Sequence, residues 1–184
     1  MQEPSRSRVT LVLGGVRSGK SRYALKLAAG STNVTFVATA RPSDDEMRGK
    51  IARHQSERPV HWRTVEEPLR LAEAVCNLQG TSDTTVVDCL TLFAANLMEA
   101  HGPDQAAIGE AIDDLCRALR KTDHEIVLVS NEVGSGVVPE HPAGRQFRDL
   151  LGEMNQRVAA VADNVVLLIA GFPLPIKSAS EVLR

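Results

Sequence analysis

The sequence predicts an α/β fold in which a mostly parallel β-sheet carries helices on both faces. Three observations predict it. Short β-branched apolar runs alternate with longer segments of helical periodicity along the chain. Those runs are near-continuous in Val, Ile and Leu, as strands buried on both faces should be. The first run ends in glycines and passes directly into a helical segment.

The elements follow in order. Val9 to Leu13 is a strand run ending at Gly14 and Gly15, and Gly19 to Ala29 reads as a helix carrying Tyr23, Leu25, Leu27 and Ala28. Val34 to Ala38 is a second strand. Ser43-Asp44-Asp45-Glu46 has the S-x-x-E form of a capping box, which satisfies the free N–H groups at a helix start. Met47, Ile51 and His54 then share one face of that helix. Arg58-Pro59 ends it, because the residue before proline avoids the helical region. His61 to Val65 reads as a strand, and Pro68 as the first turn of the next helix. Thr84 to Asp88 is a buried strand and Leu92 to Ala100 a helix. Gln105 to Lys121 is a longer amphipathic helix with Ile108, Ile112, Leu115 and Leu119 on its inner side. Glu125 to Ser130 is a strand, Ala143 to Ala162 the longest helix, and Val165 to Ala170 a final buried strand. With no repeat, low-complexity tract or linker, residues 9–184 are expected to form one domain behind a disordered arm at 1–8.

Composition bounds the function. Of 184 residues, 43% are apolar and 24% charged, and 21 Lys and Arg against 23 Asp and Glu give a net charge of −2. That balance argues against nucleic-acid binding, which normally shows a basic excess. No run reaches the ~18 apolar residues of a membrane span; the longest, Val158 to Phe172, is broken by Asp163 and Asn164. The first residues lack the apolar core of a secretory signal. Cys76, Cys89 and Cys116 are too few and scattered for a disulfide framework or a zinc site, so three small buried thiols in a reducing cytoplasm are expected.

Gly14-Gly15-Val16-Arg17-Ser18-Gly19-Lys20-Ser21 matches G-x-x-x-x-G-K-S/T in the context that motif requires, after a strand and opening a helix. The glycines let backbone N–H groups point at phosphate oxygens, and the helix N-terminus adds partial positive charge. Lys20 is the candidate for the β- and γ-phosphates and Ser21 for Mg²⁺. Asp88, at the end of a buried strand, is a candidate second metal ligand, although capping of the helix at Leu90 would explain it too. A nucleotide site follows. Which of the many reactions built on this loop it serves does not.

Further segments narrow the choice. Residues 44–59 read DDEMRGKIARHQSERP, residues 61–68 HWRTVEEP, residues 87–92 VDCLTL and residues 129–140 VSNEVGSGVVPE, with Phe147-Arg148-Asp149-Leu150 and Asn155-Gln156-Arg157 after them. From about Val9 to Lys177 this ordered set resembles the bifunctional adenosylcobinamide kinase/adenosylcobinamide-phosphate guanylyltransferase family of cobalamin biosynthesis. The resemblance implies a RecA-like, P-loop NTPase-like sheet, use of ATP, GTP and Mg²⁺, and a homotrimer. It implies phosphorylation of adenosylcobinamide, then transfer of GMP from GTP through an enzyme histidine to adenosylcobinamide phosphate. By match to the family's H-x-x-x-R-P segment the guanylylated residue is His54, with Lys20 the other catalytic residue. A neutral imidazole is a good nucleophile near neutral pH, and Arg53 and Arg58 would disfavour its protonation and steady the α-phosphate. His61 is the rival nucleophile; His101, His124 and His141 are expected to be solvated.

Nucleotide contacts are expected from the loop motif at Gly14, Gly15, Val16, Arg17, Ser18, Gly19, Lys20, Ser21 and Asp88, from the carboxyl edge of the second strand at Thr39, Ala40 and Arg41, and from the resemblance at Arg58 and Glu66. Glu67 competes with Glu66 for its role, and either could cap the helix near Pro68. The 131–140 loop is expected at the ligand edge, facing the corrinoid or a neighbouring subunit, with Arg145 and Arg148 solvated or on phosphate. Val16 replaces the usual alanine and Phe93 the usual tryptophan, neither at a reacting atom. Two other readings stay open: retention of only one of the two activities, and a nucleotide-gated binding protein. The absence of an N-K-x-D guanine motif counts against a switch of the GTPase type.

Overall fold

The computed structural model describes residues 8–42, 45–56 and 58–179, with backbone alone at 46, 47, 50, 51 and 54. Residues 1–7 of the expected arm and Ser43-Asp44 of the expected capping box lie outside the described residues. Arg8, counted with the arm, is held: its backbone N–H donates to Asp163 Oδ2 at 2.8 Å and its guanidinium to the Thr122 carbonyl at 2.8 Å.

The chain runs β1 (Val9–Gly14), α1 (Lys20–Ala28), β2 (Val34–Ala38), α2 (Asp45–Ser56), β3 (Arg63–Glu66), α3 (Leu71–Asn77), β4 (Thr84–Asp88), α4 (Leu90–His101), α5 (Gln105–Lys121), β5 (Glu125–Val129), α6 (Pro142–Val161), β6 (Asn164–Ile169) and β7 (Phe172–Lys177). The strands form one sheet in the order β3-β2-β4-β5-β1-β6-β7. All pairs are parallel except β6–β7. Side chains alternate along each strand, so the sheet makes two cores. Leu11, Val37, Val87, Ile126 and Leu128 pack against α3 to α6, while Val12, Phe36, Val86 and Val129 pack against α1. Ile108, Ile112, Leu115 and Leu119 of α5 are all buried, as their spacing predicts.

Several boundaries move for physical reasons. Trp62 is not in a strand; its N–H closes a turn onto the Pro59 carbonyl, and β3 starts at Arg63. Pro68 precedes rather than opens α3. The Glu67 carboxylate accepts from the N–H groups of Leu69 and Arg70 at 3.0 and 2.8 Å, so the chain is tied off there before the helix begins at Leu71. β6 is not the last strand. A two-residue turn at Ala170 and Gly171, both with positive φ, sends the chain back as antiparallel β7. Lys177 at its end donates to the carbonyls of Ala159, Ala160 and Ala162, closing the C-terminus of α6.

Two residue-level expectations are corrected. Cys76 is exposed, because it falls on the outer side of α3, and of the other two Cys116 is buried and Cys89 partly so. His124 is not solvated but 7% exposed, with its ring nitrogens hydrogen-bonded to Thr85 at 2.9 Å and Thr122 at 3.2 Å. It links β4 to β5 at the end of the sheet away from the cavity. His124→Ala should leave the buried Thr85 hydroxyl without its ring partner and open a cavity, while the Thr122 hydroxyl keeps its bonds to the backbone of residue 124, costing about 2 kcal/mol and lowering Tm by roughly 5 °C in a thermal melt.

Candidate active site

Parallel strands bring their carboxyl ends to one edge, and the turn after β1 lies there. Gly14 needs its missing side chain: a Cβ would stand 2.6 Å from the Leu168 carbonyl and 2.5 Å from Ser18 Oγ. Gly19 begins α1 with φ 97°, a left-handed value that glycine adopts without strain. The β6–β7 turn backs this loop, with Gly171 N–H donating to the Ser18 carbonyl at 3.0 Å. Lys20 is buried beneath the loop and its ammonium donates to the Gly15 carbonyl at 2.6 Å. Burial lowers its pKa from the ordinary 10.5, an effect that Cys89 and Asp88 partly offset.

A cavity of about 1000 Å³ opens over this loop. Val16 to Ser21, Ala40, Arg58, Glu66 and Asp88 line it, so most of the residues singled out by sequence share one site. So do Arg53 and Gln55, which flank His54 in α2. The His54 side chain is outside the described residues. His61 is exposed and is not among the lining residues, as are His101 and His141.

Alternation explains the members that turn away. Glu66 pairs with Ala38 in the β2–β3 register and shares its cavity face, whereas Glu67 is engaged at the start of α3. Thr39 is out of phase with Ala38 and Ala40 and is fully buried behind the wall. Its hydroxyl donates to the Cys89 carbonyl at 2.7 Å and accepts from the Cys89 N–H at 2.8 Å. Buried Asn96 donates to the carbonyls of Thr39 and Pro68, joining the segments after β2 and β3. Arg41 reaches Glu99 at 3.4 Å rather than the cavity. Gly14 and Gly15 form the turn beneath the lining. Arg148 donates to the Gly134 carbonyl and Arg145 to those of Pro139 and Glu140, so both hold the 131–140 loop.

Two electrostatic features matter for chemistry. The Arg58 guanidinium stacks on the Phe36 ring, 3.3 Å from its centroid, and its Nε and Nη1 are buried with no hydrogen-bond partner among the described residues. Burial holds its pKa below the ordinary value, partly offset by the Asp88 carboxylate. Two unpaired cationic donors at a cavity wall fit an anionic ligand. Cys89 also lines the cavity, but burial and the neighbouring Asp88 push its thiol up to about 12. The thiolate is the reactive form, so Cys89 is unsuited to act as nucleophile near neutral pH.

The CobU family, described as cobinamide kinase / cobinamide phosphate guanyltransferase, matches residues 10–176. The chain belongs to this family. It is 42% identical over 178 residues to the bifunctional adenosylcobalamin biosynthesis protein CobU of Salmonella typhimurium, covering 91% of this chain and 98% of that protein. It is 44% identical over 168 residues to the bifunctional adenosylcobalamin biosynthesis protein CobP of Pseudomonas aeruginosa, covering 91% and 96%. Among solved structures, an ATPase from the type III secretion system of pathogenic bacteria superimposes with a TM-score of 0.57 at 11% identity, over 89% of this chain and 51% of that one. That likeness concerns the fold alone. The family match thus reaches the same reaction class as the motifs at 44–68 and 129–140.

Proposed function

We propose that this enzyme phosphorylates adenosylcobinamide with ATP or GTP, and then transfers GMP from GTP to adenosylcobinamide phosphate through His54. The observation that carries this reading is the shared cavity, whose lining brings the phosphate loop and Asp88 together with Arg53, Gln55 and Arg58. A single triphosphate laid across the loop offers its γ-phosphorus toward the strand edge and its α-phosphorus toward α2.

In the kinase step the acceptor hydroxyl attacks the γ-phosphorus and the β–γ bridging bond breaks. The backbone N–H groups of the loop and Lys20 hold the phosphates while charge shifts to the leaving oxygen. In the second reaction an imidazole nitrogen of neutral His54 attacks the α-phosphorus and pyrophosphate leaves. A phosphate oxygen of adenosylcobinamide phosphate then attacks the phosphoramidate, the P–N bond breaks, and adenosylcobinamide-GDP forms. Arg53 and Arg58 offset the charge at the α-phosphate and favour the unprotonated imidazole. Glu66 accepts hydrogen bonds from guanine or ribose. The Ser21 hydroxyl and Asp88 carboxylate form a hard-oxygen pair that suits Mg²⁺, which needs few protein ligands when phosphate oxygens complete its shell. Bound there, the ion would neutralise charge on the β- and γ-phosphate oxygens.

This reading places the enzyme in the cytoplasm, where its nucleotides are made; among the described residues no helix is long and apolar enough to cross a membrane. It includes a homotrimer. Exposed Ile169, Phe172, Leu174 and Ile176 on the β6–β7 edge support a subunit contact. Light scattering at active concentration should return three times the chain mass, and a monomer would reject the trimer.

The reading is tested by supplying purified enzyme with adenosylcobinamide, ATP, α-labelled GTP and Mg²⁺. Formation of adenosylcobinamide phosphate followed by labelled adenosylcobinamide-GDP and free pyrophosphate is expected. One product without the other would reduce the enzyme to a single activity, and neither would overturn the assignment.

A further inference from the structure

We propose that the side-chain amide of Asn131 holds the γ-phosphoryl group and the attacking hydroxyl during the kinase step, and touches none of the bonds that change in guanylylation of the enzyme. The inference rests on the two-reaction reading above and assigns a residue within it.

The strand order is the starting point. β5 lies between β1, which ends in the phosphate loop, and β4, which ends in Asp88. Asp88 is level with Val129 in the β4–β5 register, so Asn131 stands two residues beyond the carboxylate, over the sheet edge. Asn131 has the same parity as Val129, and both line the cavity. Any phosphoryl group held between Lys20 and Asp88 therefore lies beneath it. Arg53 of α2 lines the same cavity, and the two-reaction reading assigns the α-phosphate to that side, beside His54 in the sequence.

The backbone at Asn131 is fixed from three directions. Its N–H donates to Thr91 Oγ1 at 2.8 Å, and its carbonyl accepts from Asn155 Nδ2 at 3.0 Å. The next N–H, that of Glu132, donates to the Gly14 carbonyl at 2.9 Å, tying the segment to the phosphate loop itself. The Asn131 amide group makes no hydrogen bond among the described residues. Its neighbour is already committed: the Glu132 carboxylate accepts from the Gly134 N–H at 2.8 and 3.0 Å. A neutral amide on a rigid mount, with both donor and acceptor capacity free, suits a group that must meet an anion and a hydroxyl together.

The chemistry assigned to it is limited. Nδ2 donates to a non-bridging γ-oxygen, and Oδ1 accepts from the acceptor hydroxyl, setting that oxygen in line. The oxygen–γ-phosphorus bond forms as the bond from γ-phosphorus to the β–γ bridging oxygen breaks. The bridging oxygen leaves with the nucleoside diphosphate, and the hydroxyl proton passes to solvent. In guanylylation the bond changes occur at the α-phosphorus and His54, at the far end of the triphosphate.

Separation of the two activities is the test. Asn131→Ala and Asn131→Asp are assayed for transfer from γ-labelled ATP to adenosylcobinamide, and for enzyme labelling by α-labelled GTP. Loss of a preorganised donor predicts that Asn131→Ala loses kinase turnover by about 10²-fold while enzyme labelling stays within about threefold of wild type. Asn131→Asp, equal in shape but anionic and without donors, should lose the kinase step at least as severely. Retained labelling shows that each variant is folded and binds nucleotide. A parallel fall of both activities would make Asn131 a structural or general binding residue, and unchanged kinase activity in either variant would also overturn the inference. Wild-type enzyme without kinase activity is a different failure, which removes the two-reaction reading and this assignment with it.

Discussion

Lys20→Met should abolish both transfers while leaving the fold as stable as wild type or slightly more so. The ammonium is buried beneath the phosphate loop and donates to the Gly15 carbonyl at 2.6 Å. On triphosphate it replaces that weak contact by phosphate oxygens whose charge grows as either leaving group departs. Loss of one such preorganised contact costs about 10²–10³-fold in turnover, and here the same side chain serves both reactions. Stability moves the other way. Burial lowers the pKa of Lys20 from 10.5, so the unfolded chain keeps this proton to higher pH than the folded one. Between the lowered value and 10.5 the unfolded state binds more protons, and stability contributed at this site rises with pH. Below that window the buried cation subtracts from stability. Thermal melts should therefore show wild type gaining on Lys20→Met as pH rises toward 10. At neutral pH, added GTP should raise the Tm of wild type far more than that of the variant. Equal stabilisation of both by GTP would remove Lys20 from the nucleotide site.

Most of this architecture is legible in the sequence because its strands are buried on both faces. Val34 to Ala38, Thr84 to Asp88 and Glu125 to Val129 are apolar runs that a half-exposed strand would not show. β7 is illegible for the opposite reason. It is an exposed edge strand with Pro173 and Pro175 inside it, reached through an Ala-Gly turn rather than the Asn-Gly or Asp-Gly pair that usually announces a hairpin. The phosphate loop is readable because its chemistry lies in the backbone, which glycine spacing dictates. Thr39 shows where position in sequence falls short. It stands at the ligand edge, yet strand alternation turns its hydroxyl onto Cys89 and leaves Ala38 and Ala40 on the cavity wall. His124 carries no pattern that separates it from His101 or His141; only its partners Thr85 and Thr122, brought together by β4–β5 pairing, distinguish it. The role assigned to Asn131 depends on β5 lying between β1 and β4, and strand order across a sheet is a long-range property that no local motif contains.

The second large effect concerns His54. Helix α2 carries it between Arg53 and Gln55, both on the cavity wall, and four residues before Arg58, whose Nε and Nη1 have no hydrogen-bond partner among the described residues. The reading requires this imidazole to become covalently bonded to GMP, a demand that simple nucleotide binding does not make. His54→Ala should leave phosphorylation of adenosylcobinamide close to the wild-type rate, because that reaction takes place at the other end of the triphosphate. Formation of adenosylcobinamide-GDP should fall below detection, since loss of a covalent nucleophile removes the pathway rather than one contact on it.

The most direct measurement omits the corrinoid altogether. Wild type and His54→Ala are incubated with α-labelled GTP and Mg²⁺, and the label remaining on denatured protein is followed in acid and in alkali. The account predicts about one label per wild-type chain with a phosphoramidate's signature, lost in acid and stable in alkali. It predicts no label on a folded His54→Ala variant that still phosphorylates adenosylcobinamide. Label of the same stability on that variant would contradict the account and move the covalent step to another side chain.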